Sequence, residues 1–442
     1  MKIKNKLSLL LVLLTLLFTV TLTLSSCEAG SEEIFSKEVL AENVLSEKNK
    51  NRDSVWEYFD SWDFPVFDKG KLKKTEKLFR DYYYKDIPSS YELACTVAND
   101  FIENKYDDID LTSSGKVSDA LLYSFVDAVK KATGDNYCFY RTNEQYDNYT
   151  SNMSGNFVGI GVNVQTVLVE DGILVLKPLR NSPAEKAGIL EGDVITAVDG
   201  EKVLDIGYET AVSNIKGESG TDVVITVKRG EVSLDITVTR GPVVELTVDY
   251  YIDEDKVGYI DINSFKKNTD ELFIEAIDYM KENGAKAIIY DVRGNGGGYL
   301  ETVVNMLDYI AEDGITLASF SNDYGDAEKS DDGHSLSLPT VVLCNGQSAS
   351  ASELFTAGLR DICAMGYFPV TIVGQTTFGK CVMQNTYTLS DGSAITLTVA
   401  YYYPPSGVHF DGEGIKPSVE VKGDADQFER AFAEANKLIN NK

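Results

Sequence analysis

Ala287-Ile-Ile-Tyr-Asp-Val-Arg-Gly-Asn-Gly-Gly-Gly298 decides the reading of the fold. The first six residues are apolar except for Asp291, the texture of a short strand covered on both faces. The glycines after them let bare backbone N–H groups crowd a ligand, and a helix opening just beyond favours negative charge there. Outward from this stretch the same alternation continues. Strands are expected at 257–262 and 340–344, and helices at 269–283, 299–312 and 351–360. Strand and helix in turn from Lys256 onward argue an α/β layered core. A polar-faced helix is expected over 424–441.

Upstream the texture differs. Between Phe157 and Arg240, short alternating apolar runs are broken by glycines, with helical pieces at 183–187 and 206–215, which reads as a small β-rich module. Its marks are Gly159-Ile160-Gly161-Val162, Ser182-Pro183-Ala184 to Ala187-Gly188, and Gly192-Asp193-Val194-Ile195 followed by Asp199-Gly200. These residues resemble a PDZ domain of the kind found in bacterial proteases. The resemblance implies that backbone N–H groups at Gly159, Ile160, Gly161 and Val162 take a peptide carboxylate while a strand edge accepts an extended chain. A plain structural β-module is the alternative. Between Ser54 and Asp147, aromatic and charged residues at helical spacing predict a helical module, as at Tyr91-Glu-Leu-Ala94 and Ala120-Leu-Leu-Tyr-Ser-Phe125.

The chain begins with three lysines in its first six residues and an uncharged, leucine-rich segment from Leu7 to Leu24. This is the pattern of an export signal, although the length also suits a retained anchor. Leu24-Ser25-Ser26-Cys27 resembles a bacterial lipoprotein cleavage box, which implies removal of residues 1–26, an acyl anchor on Cys27 and an extracytoplasmic place at the cell membrane. Cleavage would take three lysines from a chain of formal charge −28 and leave −31. That acidic excess, from 69 acidic and 41 basic residues among 442, argues against a nucleic-acid partner. Five further cysteines, Cys95, Cys138, Cys344, Cys363 and Cys381, show no metal-binding spacing, and buried free thiols are expected. Two histidines, His334 and His409, are too few for a three-histidine metal site.

Two more strings carry chemistry. Gln347-Ser-Ala-Ser-Ala-Ser-Glu353 follows the strand ending at Cys344 and opens a helix. A serine at such a turn is well placed as a nucleophile, with the next N–H facing a developing oxyanion. Ser350 with Glu353 three residues on also has the spacing of an ordinary capping box. Ser348, Ser350 and Ser352 remain open as nucleophiles on this reasoning. Gly374-Gln-Thr-Thr-Phe-Gly-Lys-Cys-Val-Met-Gln384 sets Lys380 between a glycine and apolar residues. Burial would lower its amine from the usual ~10.4 towards the range of a general base; a solvated loop lysine is the alternative.

Together the three strings resemble the carboxy-terminal processing (tail-specific) serine peptidases. The resemblance implies a Clp protease/crotonase-like α/β core with an inserted PDZ-like module and a helical N-terminal module. It implies Ser350 as nucleophile, Lys380 as general base and Gln384 as support for the lysine. It also implies the N–H groups of Gly298 and Ala351 as oxyanion donors, with no metal or cofactor. The corresponding division is signal 1–26, polar tether 27–53, helical module 54–154, PDZ-like domain 155–242, peptidase core 243–425 and terminal helix 426–442. Gln375-Thr376 replaces the family's usual acidic-proline pair, and Cys381 the usual glycine. Cys381, beside Lys380, reads as structural, and His409 as a loop residue. The expected function is a lipid-anchored serine endopeptidase acting on proteins with exposed carboxy-terminal tails. The alternative is a catalytically weak scaffold that binds such tails without cutting them.

Overall fold

A computed structural model describes residues 52–59, 67–103, 109–110, 112–165, 167–169, 171–321, 327–330 and 336–440. The apolar segment 7–24, Cys27, the tether up to residue 51 and His334 lie outside the described residues. The chain divides into two compact units, one of Met1–Glu76 with Pro88–Ala132, the other of Lys77–Ile87 with Thr133–Lys442.

The first unit holds the helices Ser90–Ile102 and Ser114–Thr133, apart from its last residue, and the start of Lys69–Tyr82. Ser89 and Glu92 cap the helix Ser90–Ile102 reciprocally, each side chain meeting the other's backbone N–H. Trp56, fully buried, packs its ring 5.6 Å from that of Phe125.

In the second unit, Asn156–Gly159 and Gly241–Val244 pair antiparallel, so the chain enters and leaves the β-rich module side by side. Inside that module runs an antiparallel sheet in the order Val162–Val164, Ile173–Pro178, Val194–Val198, Asp222–Arg229, Val232–Thr239. The strand Val162–Val164 has one strand neighbour among the described residues, so its outer edge is free. Gly161 has φ +76°, and a β-carbon there would lie 2.5 Å from Ser182 Cβ. This glycine keeps the turn tight against the start of the helix Pro183–Ala187.

The core sheet is ordered Val248–Ile252, Val257–Ile262, Ala287–Asp291, Thr340–Cys344, Val370–Gly374, Val419–Glu420. Its first pair is antiparallel and the rest parallel. Alternation along each strand sorts the side chains into two layers. Ile288, Tyr290, Val342 and Cys344 face a core with Phe273, Ile277, Val303, Leu307 and Phe355, from the helices Thr269–Glu282, Leu300–Ile310 and Ala351–Ala364. Ala287, Ile289, Val341, Leu343 and Val373 face Ala431 and Ala435 of the helix Asp424–Asn440. Coverage on both faces accounts for the near-continuous apolar strands.

A second sheet carries Phe139–Arg141, Ala394–Tyr403, Thr316–Phe320 and Glu328–Lys329, with Val382–Thr388 also paired to Ala394–Tyr403. The glycine, serine and lysine strings all leave the carboxyl ends of adjacent parallel strands, after Asp291, Cys344 and Gly374. The topology thus gathers three distant stretches at one sheet edge, where open α/β sheets bind ligands.

Candidate active site

Ser350 precedes the helix Ala351–Ala364 with φ +57° and ψ −115°, a backbone that an L-residue with a side chain rarely adopts. Its N–H donates to Glu353 Oε2 at 2.8 Å, and the Glu353 N–H donates back to the Ser350 main-chain carbonyl at 2.8 Å, which leaves the hydroxyl without a hydrogen bond among the described residues. The neighbouring serines differ. Ser348 Oγ donates to the Val292 carbonyl at 2.7 Å, and Ser352 Oγ to the Asn295 carbonyl at 2.8 Å. Both are fully buried. Of the three hydroxyls that spacing alone left equivalent, two are therefore spent on joining the serine turn to the glycine string. Ser350 faces a cavity of about 940 Å³ that Lys380, Gln384 and Gly296 to Gly298 also line.

The lysine string wraps the same helix start. Glu353, fully buried, accepts from Gly379 N–H at 2.7 Å, Lys380 N–H at 2.8 Å and the Thr377 hydroxyl at 2.6 Å, as well as from Ser350. Burial raises its carboxyl above the usual range, opposed by these hydrogen bonds. The Lys380 amine donates to Gln384 Oε1 at 2.8 Å and lies 4.4 Å from the centroid of the Tyr137 ring. Burial lowers the Lys380 pKa to about 8, against the pull of Asp135, Glu353 and Asp411, whose charges favour the ammonium. No hydrogen bond joins Ser350 Oγ to the Lys380 amine in this structure, although both groups line one cavity. The Tyr402 hydroxyl lies 2.9 Å from the Ser350 carbonyl and 2.7 Å from that of Lys380, so one proton serves both.

The glycine string is held by Asn295, also fully buried. Its Nδ2 donates to the Ile262 carbonyl at 2.7 Å, and its Oδ1 accepts from Gly297 N–H at 2.8 Å. Gly297 has φ +104°, and a β-carbon there would lie 2.7 Å from the Ala349 carbonyl oxygen and 3.0 Å from Ser350 Cβ. Only a glycine allows this approach. Gly298 N–H and Ala351 N–H donate to no acceptor among the described residues. A tetrahedral oxyanion beside Ser350 needs two donors of this kind. At the base of the string, Arg293 grips Asp291 with Nη2 2.5 Å from Oδ2, and Tyr259 donates to the same oxygen at 2.7 Å.

Cys381 is fully buried, donating its thiol to the Tyr402 carbonyl at 2.8 Å. Burial raises the thiols of Cys138, Cys344 and Cys381 to about 12, and all five cysteines among the described residues are free. His409 packs against the rings of Tyr401 and Tyr403 and is not part of the cavity wall. In the β-rich module, the Ile160 and Gly161 carbonyls accept from Ala184 and Leu179 at 2.7 and 2.9 Å, which fixes the glycine turn beside the free strand edge. Sequence reasoning assigned no function to Asn295, Tyr137 or Tyr402, and took Glu353 only as a helix cap.

Residues 256–421 match the model of peptidase family S41, and residues 158–239 match that of a PDZ domain. A Staphylococcus aureus (strain N315) protein named "probable CtpA-like serine protease" is 35% identical over 308 residues, which cover 69% of this chain and 60% of that protein. Its namesake in Staphylococcus haemolyticus (strain JCSC1435) is 32% identical over 348 residues, covering 76% of this chain and 64% of the relative. The chain thus spans less than two thirds of the length of these relatives. Among solved structures, a candidate S41 protease from Bacteroides fragilis NCTC 9343 is 17% identical with a TM-score of 0.51, over 83% of this chain and 95% of that one. It shares the fold.

Proposed function

We propose, from the premise that residues 256–421 belong to peptidase family S41 and residues 158–239 are a PDZ domain, that this protein is a serine endopeptidase. It is anchored outside the cytoplasm by a lipid on Cys27. The PDZ domain holds the carboxy-terminal tail of a substrate at its glycine turn and free strand edge, and the cavity cuts the chain upstream.

The observation that carries the reading is the pair at the cavity wall: an uncommitted serine hydroxyl on a strained turn and a buried amine of pKa about 8. In the reaction, the neutral Lys380 amine takes the Ser350 proton as Oγ attacks the scissile carbonyl. The tetrahedral oxyanion is met by the N–H groups of Gly298 and Ala351. The Lys380 ammonium then gives its proton to the departing amine, leaving an acyl-serine and a released carboxy-terminal fragment. Water, deprotonated by the same lysine, hydrolyses the ester. Gln384 steers the amine, and the reaction requires a side-chain rotation that brings Nζ to Oγ.

The test is cleavage of an unstructured reporter protein by the purified full chain and by Ser350→Ala and Lys380→Ala. Each substitution is expected to stop cleavage while leaving tail binding intact. Undiminished cleavage by Lys380→Ala sinks the dyad. Tail binding without cleavage by the unaltered protein would establish the scaffold alternative instead.

A further inference from the structure

Arg141 lies on the three-residue strand Phe139–Arg141, which pairs antiparallel with Ala394–Tyr403 along the wall of the cavity. Its guanidinium is clamped. Nη1 donates to Thr396 Oγ1 at 2.9 Å, the Tyr149 ring lies 4.2 Å away and the Phe139 ring 5.1 Å away. These contacts fix the planar head but satisfy one of its five N–H donors. Among the described residues no carboxylate pairs with it. The two carboxylates on the cavity wall, Glu301 and Glu328, form no ion pair with it. In a chain of formal charge −28, an arginine held rigid between aromatic rings and lacking an acidic partner is prepared for an anion that arrives from outside.

Its distance along the wall is set by strand register. Thr396, which holds the guanidinium, is opposite Thr386, and the two hydroxyls lie 2.8 Å apart. Thr386 is two positions along its strand from Gln384, the residue that holds the Lys380 amine. Two positions along the strand and one strand spacing across the sheet put Thr396 about 8 Å from Gln384, the length of two to three residues of an extended peptide. A peptide stretched across the cavity with its scissile carbonyl at Ser350 therefore brings a nearby side chain to Arg141.

We propose that Arg141 forms a carboxylate-binding subsite of this cavity, taking a carboxylate of the bound peptide a few residues from the scissile bond. The inference rests on the reading of the cavity as a peptide-cleaving site. Carboxylate is the shared chemistry of an Asp or Glu side chain and of a chain end, and the experiment separates the two.

The full chain is assayed on a short unstructured peptide whose carboxy terminus is amidated, with Glu, Gln or Lys scanned through each position on both sides of the cut. One position is expected to favour Glu over Gln in kcat/KM by about tenfold, the worth of a hydrogen bond to a charged group. That preference disappears in Arg141→Gln and survives in part in Arg141→Lys, which keeps the charge without the fork. A matched peptide with Gln throughout and a free carboxy terminus tests the other source: an Arg141-dependent gain there assigns the subsite to the chain end. Absence of an Arg141-dependent gain in both series overturns the proposal. Should no peptide be cut, the same peptides are titrated by fluorescence polarisation onto Ser350→Ala with and without Arg141→Gln. A carboxylate preference that depends on Arg141 there upholds the subsite while the proteolytic reading fails, and equal affinities overturn the subsite.

Discussion

The pH dependence of cleavage tests the proposed chemistry most directly, because Lys380 must lose its proton before it can accept one. With a pKa of about 8, roughly one amine in eleven is neutral at pH 7. An ordinary lysine at 10.5 would be neutral in roughly one molecule in three thousand, so burial enriches the working form by about three hundredfold. Measured with a fluorogenic peptide, kcat/KM is expected to rise tenfold per pH unit below the midpoint and to level off above about pH 8. The sign of the environment can be checked with Asp411→Asn. Asp411 favours the ammonium by its charge, and its Oδ1 also accepts the Cys381 N–H at 2.9 Å. Asparagine keeps that acceptor and removes the charge, so the midpoint moves to lower pH and the rate at pH 7 rises. A flat profile between about pH 6 and pH 9, or an upward shift in Asp411→Asn, would refute the assignment of Lys380 as base.

Two further substitutions probe how the site is held. In Glu353→Gln an amide NH₂ replaces an oxygen that accepts N–H or O–H donors, so at least one buried donor loses its partner. A loss of about 1–3 kcal/mol is expected for each such donor, read as a lowered denaturant midpoint alongside lost cleavage; an unchanged midpoint contradicts the described role. Gly297→Ala puts a methyl group 2.7 Å from the Ala349 carbonyl oxygen and 3.0 Å from Ser350 Cβ, at a φ of +104°. A displacement of about 1 Å at Ser350, the proposed nucleophile, costs on the order of a hundredfold in kcat/KM, while the tail binding proposed for the PDZ domain is expected to stay at its original affinity.

Much of the core was legible because its signals are local. The helix expected over 269–283 is found as Thr269–Glu282, and the strand Thr340–Cys344 falls where its apolar run stands. The helix after the serine string runs on to Ala364, past the expected end at 360, because Ile362 continues the buried face. Short exposed strands gave little signal. Phe139–Arg141 has three residues, and only pairing with Ala394–Tyr403 makes it a strand. The serine string was ambiguous for a related reason. What distinguishes Ser350 from Ser348 and Ser352 is that the Val292 and Asn295 carbonyls, distant in sequence, engage the other two. Tyr137 reaches Lys380 from still further away in the chain. Partners brought together by the sheet topology leave no mark in local spacing.

The same topology explains how a strained turn can be kept. A residue with a side chain at φ +57°, ψ −115° costs on the order of 1–3 kcal/mol, and such strain persists only where the surroundings over-determine it. Here two buried side chains do so. Glu353 accepts the N–H of both Ser350 and Lys380, and Tyr402 stands within hydrogen-bond reach of the carbonyls of both. Each of the two residues is therefore gripped at both polar groups of its backbone by the same pair of partners. The proposed nucleophile and base are thus fixed to each other through main chain, while the Ser350 hydroxyl and the Lys380 amine both line the cavity. Glu353 was legible as a helix cap because that half of its role is local. The half that matters for chemistry, binding the lysine turn to the serine turn, exists only once three parallel strands have brought their carboxyl ends together.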